Sequence, residues 1–510
     1  MTPGIVLLDF PVKRLMVHLP VEYPGVSMRI QFIESAYCKA SGECNRVHGS
    51  RCEGHVCYNA RVSAPSTSHE TAGEQSRRYG IRDGACQAIM QGGGENYLSA
   101  FALLLHATPL QIGLLSALPQ LVGTWSQLLS VKALNRVQHR KTIMLSGATG
   151  QALSWLPLLV LPLLSPAYGP WILIACAVAY FGMGHFAVPA WNSLITDLVS
   201  PNERGAYFAR RTKVMTVLSF SALCAAGLVL HGAASHGRAW TGFALIFLAA
   251  STARFLSTRY LSRMDESAAP ATREAEFRLL EFLQHERSVN YKRFLWFSGL
   301  MHVCVLISGP YFVIYLLRDL HFSYWMYASW LAAGVLGQFL TLKPWGRLGD
   351  RFGNKKLLVA TGLMVPFLPM LYLVSTNFVY LLGVNFLGGT IWAGLALGLQ
   401  NYVFDAVHAE DRAKGIAVWN TINAMGWFAG AMLGSWLATV VPADFALAGV
   451  ELHLASNLQA VFFISGVLRL IVSLGLLRTF HEARPVEPIT HRQLVTELPF
   501  VKPLTDVLAG

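Results

Sequence analysis

Long apolar runs dominate this chain from Gly84 onward, and short polar stretches punctuate them at near-regular intervals. A helix of about twenty apolar residues, rising about 1.5 Å per residue, crosses about 30 Å of hydrocarbon. Twelve such spans are predicted, at 84–106, 110–131, 143–164, 171–195, 213–231, 239–258, 294–317, 325–345, 357–375, 379–404, 415–439 and 458–478. Residues 1–78 break the pattern. They are polar and irregular and read as a disordered tail, with Met28 as a later candidate start. A second interruption, 259–293, divides the spans six and six. Within it, Glu274–Arg287 places apolar residues at 277, 279, 280, 282 and 283, the stripe of an amphipathic helix. A plain tether between the halves fits the same composition.

The polar stretches are not alike. With an even number of spans, both ends of the spanning region lie on one side. The connections on that side carry Lys132, Arg136, Arg140 and Lys141; Arg204, Arg210, Arg211 and Lys213; eight Lys/Arg between 254 and 293; Lys343, Arg347, Arg351, Lys355 and Lys356; and Arg412 and Lys414. The opposite connections hold Arg238 and Arg318. Lysine and arginine accumulate in cytoplasmic loops, so both termini are expected in the cytoplasm, beneath an inner (cytoplasmic) membrane.

Composition sharpens this picture. The chain is 54% hydrophobic and 13% charged, with a mean hydropathy of +0.43, against about 25% charged residues in soluble domains. Its net charge of +12 sits in loops and tails, where it sets topology and meets anionic lipid, so nucleic acid is not an expected partner. Cys38, Cys44, Cys52 and Cys57 lie near His48 and His55, but lack the close C-x₂₋₄-C pairing of zinc modules; no metal and no cofactor are expected. A monomer in the lipid bilayer, binding a small-molecule substrate, is the expected assembly.

The two halves repeat each other. Thr196-Asp197-Leu-Val199-Ser-Pro-Asn-Glu203-Arg204 aligns without a gap on Phe404-Asp405-Ala-Val407-His-Ala-Glu-Asp411-Arg412. Tyr97 matches Tyr311, and Arg254 matches Arg469. The expected organisation is therefore a tail (1–78), a six-helix bundle (79–258), a linker (259–293), a second six-helix bundle (294–478) and a cytoplasmic tail (479–510).

Between spans 8 and 9 lies Gly346-x-x-x-Asp350-Arg351-x-Gly353-x-Lys355-Lys356. This resembles the loop signature of the major facilitator superfamily, with a weaker copy at Leu134–Lys141, where Asn135 replaces Asp350 and Gln138 replaces Gly353. The resemblance covers nearly all of 84–478. It implies an all-α integral membrane protein, with twelve transmembrane helices in two pseudo-symmetric six-helix bundles. It further implies that Asp350 and Arg351 form a gating pair, with the acid resting by a neighbouring helix N-terminus.

A carrier needs polar groups at bilayer depth and a cavity that opens to each side in turn. Glu95 follows Gly92-Gly93-Gly94 in span 1 and reads as a proton-coupling group or a cation anchor; a structural carboxylate is the alternative. His302 in span 7 is a titratable candidate or an interhelical hydrogen-bond donor, and His185 reads as packing. Asn96, Asn192, Asn385, Gln400, Asn401, Asn420 and Asn423 supply neutral donors and acceptors for a pathway, or glue between helices. Arg254 and Arg469 need partners at depth, and Asp197 and Asp405 are the expected ones; snorkelling is the alternative for Arg254. Gly426, Gly430 and Gly434 form a small-residue ladder. No ATP-binding loop of the G-x-x-x-x-G-K-[ST] type occurs. The expectation is a secondary transporter rather than an enzyme, a symporter or antiporter with protons as a coupling ion. A transporter-fold sensor and an intramembrane lipid-modifying enzyme are the alternatives.

Overall fold

The structure is a computed structural model describing residues 6–10, 13–17, 67–137, 139–161, 168–200, 202–266, 289–408, 411–442, 444–447, 450–488, 491–499 and 501. The chain divides into Met1–Ala64 and Pro65–Gly510. In the first unit, β1 (Val6–Phe10) pairs antiparallel with β2 (Lys13–Val17). This hairpin falls where a disordered tail is expected. The cysteine group of 38–57 and the amphipathic stretch of 274–287 lie outside the described residues.

The second unit is helical, and each expected span has its counterpart. Span 1 is Thr67–Gly93, a 3₁₀ turn Glu95–Tyr97 and Leu98–Leu104. Span 2 is Pro109–Val137, and span 3 is Arg140–Leu153 extended by Leu156–Leu159. Spans 4, 5 and 6 are Gly169–Leu198, Arg204–Ser235 and Ala239–Ser262. Span 7 runs as Val289–Ser308, a 3₁₀ turn Gly309–Tyr311, Phe312–Ile314 and a π turn Tyr315–Asp319. Span 8 is Tyr324–Phe352, and span 9 is Asn354–Met364 continued through Phe367–Met370 and Leu371–Leu373. Spans 10, 11 and 12 are Phe378–Ala406, Arg412–Val440 and Asn457–Leu476. Between spans 11 and 12, β3 (Asp444–Leu447) pairs with β4 (Val450–His453). Among the described residues, seven of these helices are long and apolar enough, taken alone, to cross a membrane.

Two edges differ from expectation. Residues 67–78, placed in the disordered tail, are the first turns of span 1. Hydropathy marks where a helix becomes apolar, not where it begins. Here the Ser76 hydroxyl donates to Asp265 at 3.0 Å, and Arg77 pairs with Glu203, so a polar helix end is held in place. The connection between spans 8 and 9 also shrinks. Span 8 continues to Phe352 and span 9 starts at Asn354, leaving Gly353 alone at φ +95°. At span 2, Thr108 and Gln111 cap the helix reciprocally: the Thr108 N–H donates to Gln111 Oε1 at 2.9 Å, and the Gln111 N–H to Thr108 Oγ1 at 3.3 Å.

The packing repeats. Span 2 lies on span 4, span 3 on spans 4 and 6, and span 1 on spans 5 and 6. Likewise span 8 lies on span 10, span 9 on spans 10 and 12, and span 7 on spans 11 and 12. The bundles meet where span 2 faces span 11 and span 5 faces span 8.

On the side away from the chain termini, one contiguous buried core joins the bundles. It contains Tyr97, Phe101 and Phe243 from the first and Tyr311, Tyr327 and Trp330 from the second. Tyr97 meets Tyr327 edge-on at 6.2 Å, and Phe243 meets Tyr324 at 5.6 Å. On the terminal side the cores are separate. Leu134, Ile143, Tyr207 and Leu261 form one group in the first bundle. Tyr291 and Tyr402 belong to a second group, and Trp345 and Leu348 to a third, both in the second bundle.

Candidate functional site

Span 1 breaks where its three glycines fall. A Cβ at Gly94 would lie 2.8 Å from the Trp155 ring and 2.9 Å from Ala250, so only glycine fits between spans 3 and 6. The chain then takes a 3₁₀ turn, and its first residue is Glu95. Tyr180 of span 4 donates its hydroxyl to Glu95 Oε2 at 2.7 Å. The Trp155 ring closes on Tyr180 at 4.9 Å. Glu95 is therefore a partly buried carboxylate at the break in span 1, bonded to a phenol that an indole ring packs against.

Toward the terminal side lies an ionic cluster that the sequence does not announce. Asp83 of span 1 is 2% exposed. Its carboxylate accepts from Ser257 Oγ at 2.7 Å, and Arg211 Nη2 donates to it at 3.3 Å. Arg254 Nη1 stands 3.6 Å away and donates to Ser257 at 2.7 Å. Arg211 also donates to the Gly80 carbonyl at 3.2 Å and lies over the Trp191 ring at 4.3 Å. Asp83 lies one position before the apolar run that begins at residue 84, and Arg211 stands among the cations of a connection. The nearby glycines were the available signal. A Cβ at Gly84 would sit 2.9 Å from the Arg211 guanidinium, the mark of a side chain laid along a helix face.

A cavity of about 450 Å³ opens beside this cluster. Gln91 and Asn96 of span 1, Arg211, Thr216 and Ser219 of span 5, and Val335 of span 8 are among its walls, so it lies against both bundles. Asn96 donates to the Gln91 and Gly92 carbonyls at 3.2 and 3.3 Å. A second cavity, of about 500 Å³, lies between spans 7 and 11. Trp296, Leu300, Val303 and Met425 wall it with hydrocarbon, and Lys292 stands at its end.

The other expected pathway residues are dispersed. His302 is buried, with Nδ1 on the Ser298 carbonyl at 2.7 Å and its ring 5.8 Å from Trp427. Asn385 donates to the Trp330 carbonyl at 2.6 Å, tying span 10 to span 8. Asn423 accepts from Ser298 at 2.9 Å. Gln400 is exposed and Asn401 partly so, near the terminal end of span 10. His185 packs on span 2, where a Cβ at Gly123 would meet its ring at 2.9 Å.

The expected pairing of Arg254 and Arg469 with Asp197 and Asp405 does not occur. Arg254 turns to Asp83. Asp197 pairs with Arg140, and Asp405 accepts from Asn354 Nδ2 at 2.6 Å. The two aspartates end spans 4 and 10, where the first residues of spans 3 and 9 are nearer than the deep arginines. Arg469, 3% exposed, donates to Ser308 Oγ at 2.6 Å and to the Val305 and Val365 carbonyls, each at 3.3 Å.

The signature residues end span 8 and begin span 9. Asp350 is exposed, and the acid resting at the start of span 9 is Glu482, which accepts from the Lys355 backbone N–H at 2.8 Å. Gly353 is required by its φ of +95°, and a side chain there would also displace the Glu482 carboxylate. Arg351 donates to Glu487 at 2.7 Å, and Arg484 to the Gly349 carbonyl at 2.7 Å. Lys355 donates to the Leu477 carbonyl, while Lys356 and Gly346 are partly buried. Beyond, Leu494 and Leu498 pack on Trp345, Leu348 and Phe352. The tail thus clasps the end of the second bundle.

Comparison with known proteins agrees with this architecture. A sequence model of the Major Facilitator Superfamily matches residues 84–317 and again 294–508. A nucleoside transporter of known structure superposes with a TM-score of 0.61 at 12% identity, covering 80% of this chain and all of that one. A D-xylose–proton symporter gives 0.57 at 12% identity, covering 82% of this chain and all of that one. A bacterial homologue of the human lysosomal transporter Spinster, captured inward-facing, gives 0.55 at 14%, with the same two coverages. A protein of Arabidopsis thaliana described as a probable peptide/nitrate transporter is 27% identical over 163 residues. Those residues are 30% of this chain and 34% of that protein, so the match spans about a third of the relative's length. With both halves matched in tandem and twelve spans packed as two repeated bundles, the chain belongs to the major facilitator superfamily.

Proposed function

We propose that this protein is a secondary active transporter that moves a small solute across the inner membrane by alternating access, coupled to protons through Glu95. The basic connections then lie in the cytoplasm. The observation that carries this reading is the distribution of the core: continuous across both bundles on the far side, and divided on the terminal side into three groups, none of which spans both bundles. A protein built to be static would seal both ends. Here, among the described residues, no buried group joins the bundles on the terminal side, an arrangement that fits an inward-facing carrier, and the unwound turn with Glu95 borders the far-side core at Tyr97, Trp155 and Tyr180. The coupling role is supported by the chemistry of Glu95, an ionisable group within a span whose carboxylate is bonded to Tyr180 and which would exchange its proton with solvent entering from the terminal side. A structural neighbour is itself described as a proton symporter.

The test is flux in proteoliposomes under an imposed pH gradient. Wild-type protein is expected to accumulate substrate against its gradient. Glu95→Gln is expected to lose accumulation while keeping exchange of substrate for substrate. Accumulation that persists in Glu95→Gln removes Glu95 from coupling. Ligand binding with no flux in the wild type favours the sensor instead.

A further inference from the structure

The cavity between spans 1, 5 and 8 has one charged wall. Arg211 is charged; Gln91, Asn96, Thr212, Thr216 and Ser219 are polar and neutral; Met215, Phe220, Leu223 and Val335 are apolar. Among the described residues, no carboxylate lines it. Residues 212, 216, 219 and 223 follow the spacing of one helix face, so span 5 presents them as a single strip. From Arg211 to Leu223 that strip is about 18 Å long.

Arg211 has capacity to spare. A guanidinium offers five N–H donors. Nε takes the Gly80 carbonyl and Nη2 takes Asp83, while Nη1 has no partner among the described residues. The local charge is also unbalanced. Arg211 and Arg254 share one carboxylate, Asp83, leaving a surplus positive charge beside the cavity. In a partly desolvated wall such a surplus attracts anions strongly. Gly84 and the Trp191 ring hold the guanidinium flat, so the free edge is oriented before any ligand arrives.

We infer that this cavity binds an elongated organic anion, its carboxylate or phosphate on Arg211, its neutral polar portion along Gln91, Thr216 and Ser219, and its apolar end against Phe220, Leu223 and Val335. The inference rests on the transporter reading and names the substrate class of that site. A free solute and an anionic lipid headgroup share this chemistry.

The experiment is a thermal-shift titration of the purified full-length protein with four probes of one shape and differing charge: benzoate, phenyl phosphate, benzamide and benzylamine. A ligand that binds the folded state raises Tm. Benzoate and phenyl phosphate are expected to give saturable upward shifts, and benzamide and benzylamine none. Gln91→Glu puts a negative charge in the cavity without touching Arg211. It is expected to weaken benzoate about tenfold, with a ligand-free Tm like that of the wild type. Equal shifts for all four probes, a preference for benzylamine, absence of any shift, or a benzoate shift unchanged in Gln91→Glu each overturns the inference. Repeating the titration in phosphatidylcholine nanodiscs with and without phosphatidylglycerol separates the sources. Loss of the benzoate shift only with phosphatidylglycerol assigns the site to a lipid headgroup, and persistence assigns it to a free anion. The assay uses no gradient. Its failure leaves proton-coupled flux standing, and flux failing with the benzoate shift intact leaves the anion site standing.

Discussion

The two bundles share one blueprint and fill it differently. Tyr97 donates to the Leu223 carbonyl at 2.7 Å, and its repeat partner Tyr311 donates to the Ala431 carbonyl at 2.9 Å. Span 1 breaks at Glu95–Tyr97 and span 7 at Gly309–Tyr311. In that register Glu95 falls opposite Gly309, and Asp83 opposite Phe297. The first bundle keeps two carboxylates in its central helix, and the second keeps none at either place. Phe297 is fully buried, with its ring 5.6 Å from Phe480. The fold is evidently complete without the acids. A buried ion network costs desolvation and is seldom the cheapest way to fill a core, so the first bundle carries a cost that the second avoids with Phe297.

The arginines carry the same contrast. Arg254 has a carboxylate; Arg469 has carbonyls and one hydroxyl. The comparison breaks most severely at Asp83. Asp83→Ala leaves the buried Arg254 and the partly buried Arg211 without their counter-charge and is expected to destabilise the protein by about 3–5 kcal/mol, read as a large fall in Tm or loss of folded protein. In the second bundle, Ser308→Ala removes the closest partner of Arg469 and is expected to cost less, about 1–3 kcal/mol, by the same measurement. If Ser308→Ala proves the more damaging, the asymmetry between the bundles is reversed.

At the terminal ends the bundles converge again, and a third comparison sharpens this. The Lys141 N–H donates to Glu266 at 3.2 Å, as the Lys355 N–H donates to Glu482 at 2.8 Å. Lys141 Nζ reaches the Met264 carbonyl at 2.8 Å, as Lys355 reaches that of Leu477. Each glutamate faces the positive end of a helix. Glu266→Gln and Glu482→Gln are expected to cost about 0.3–1 kcal/mol each, equal within error in thermal unfolding at low salt. A clear difference would show that the two ends are not equivalent.

The spans, their repeat and the side carrying the basic connections were legible in the sequence, because each is a property of a stretch. Side-chain partners were not. Asp83 lies one residue outside the apolar run, and Arg211 stands among loop cations, yet the crossing of spans 1, 4, 5 and 6 brings them together. Asp197 and Asp405 are a repeat pair in the sequence, but their partners are Arg140 and Asn354 rather than the deep arginines, since helix depth decides reach. The Asp350 signature suggested which acid rests on span 9, but the tail supplies Glu482 there, from a region with no hydropathy signal.

The clasp also fixes what the repeating module is. Spans 7–12 are secured by residues that follow span 12, and spans 1–6 by Met264 and Glu266, which follow span 6. Each module is six helices and a strap. A split version, with the halves produced as separate polypeptides and left to reassemble, must therefore be cut after Glu266. A cut at Ser262, where the sixth helix ends, would hand the first module's strap to the wrong fragment.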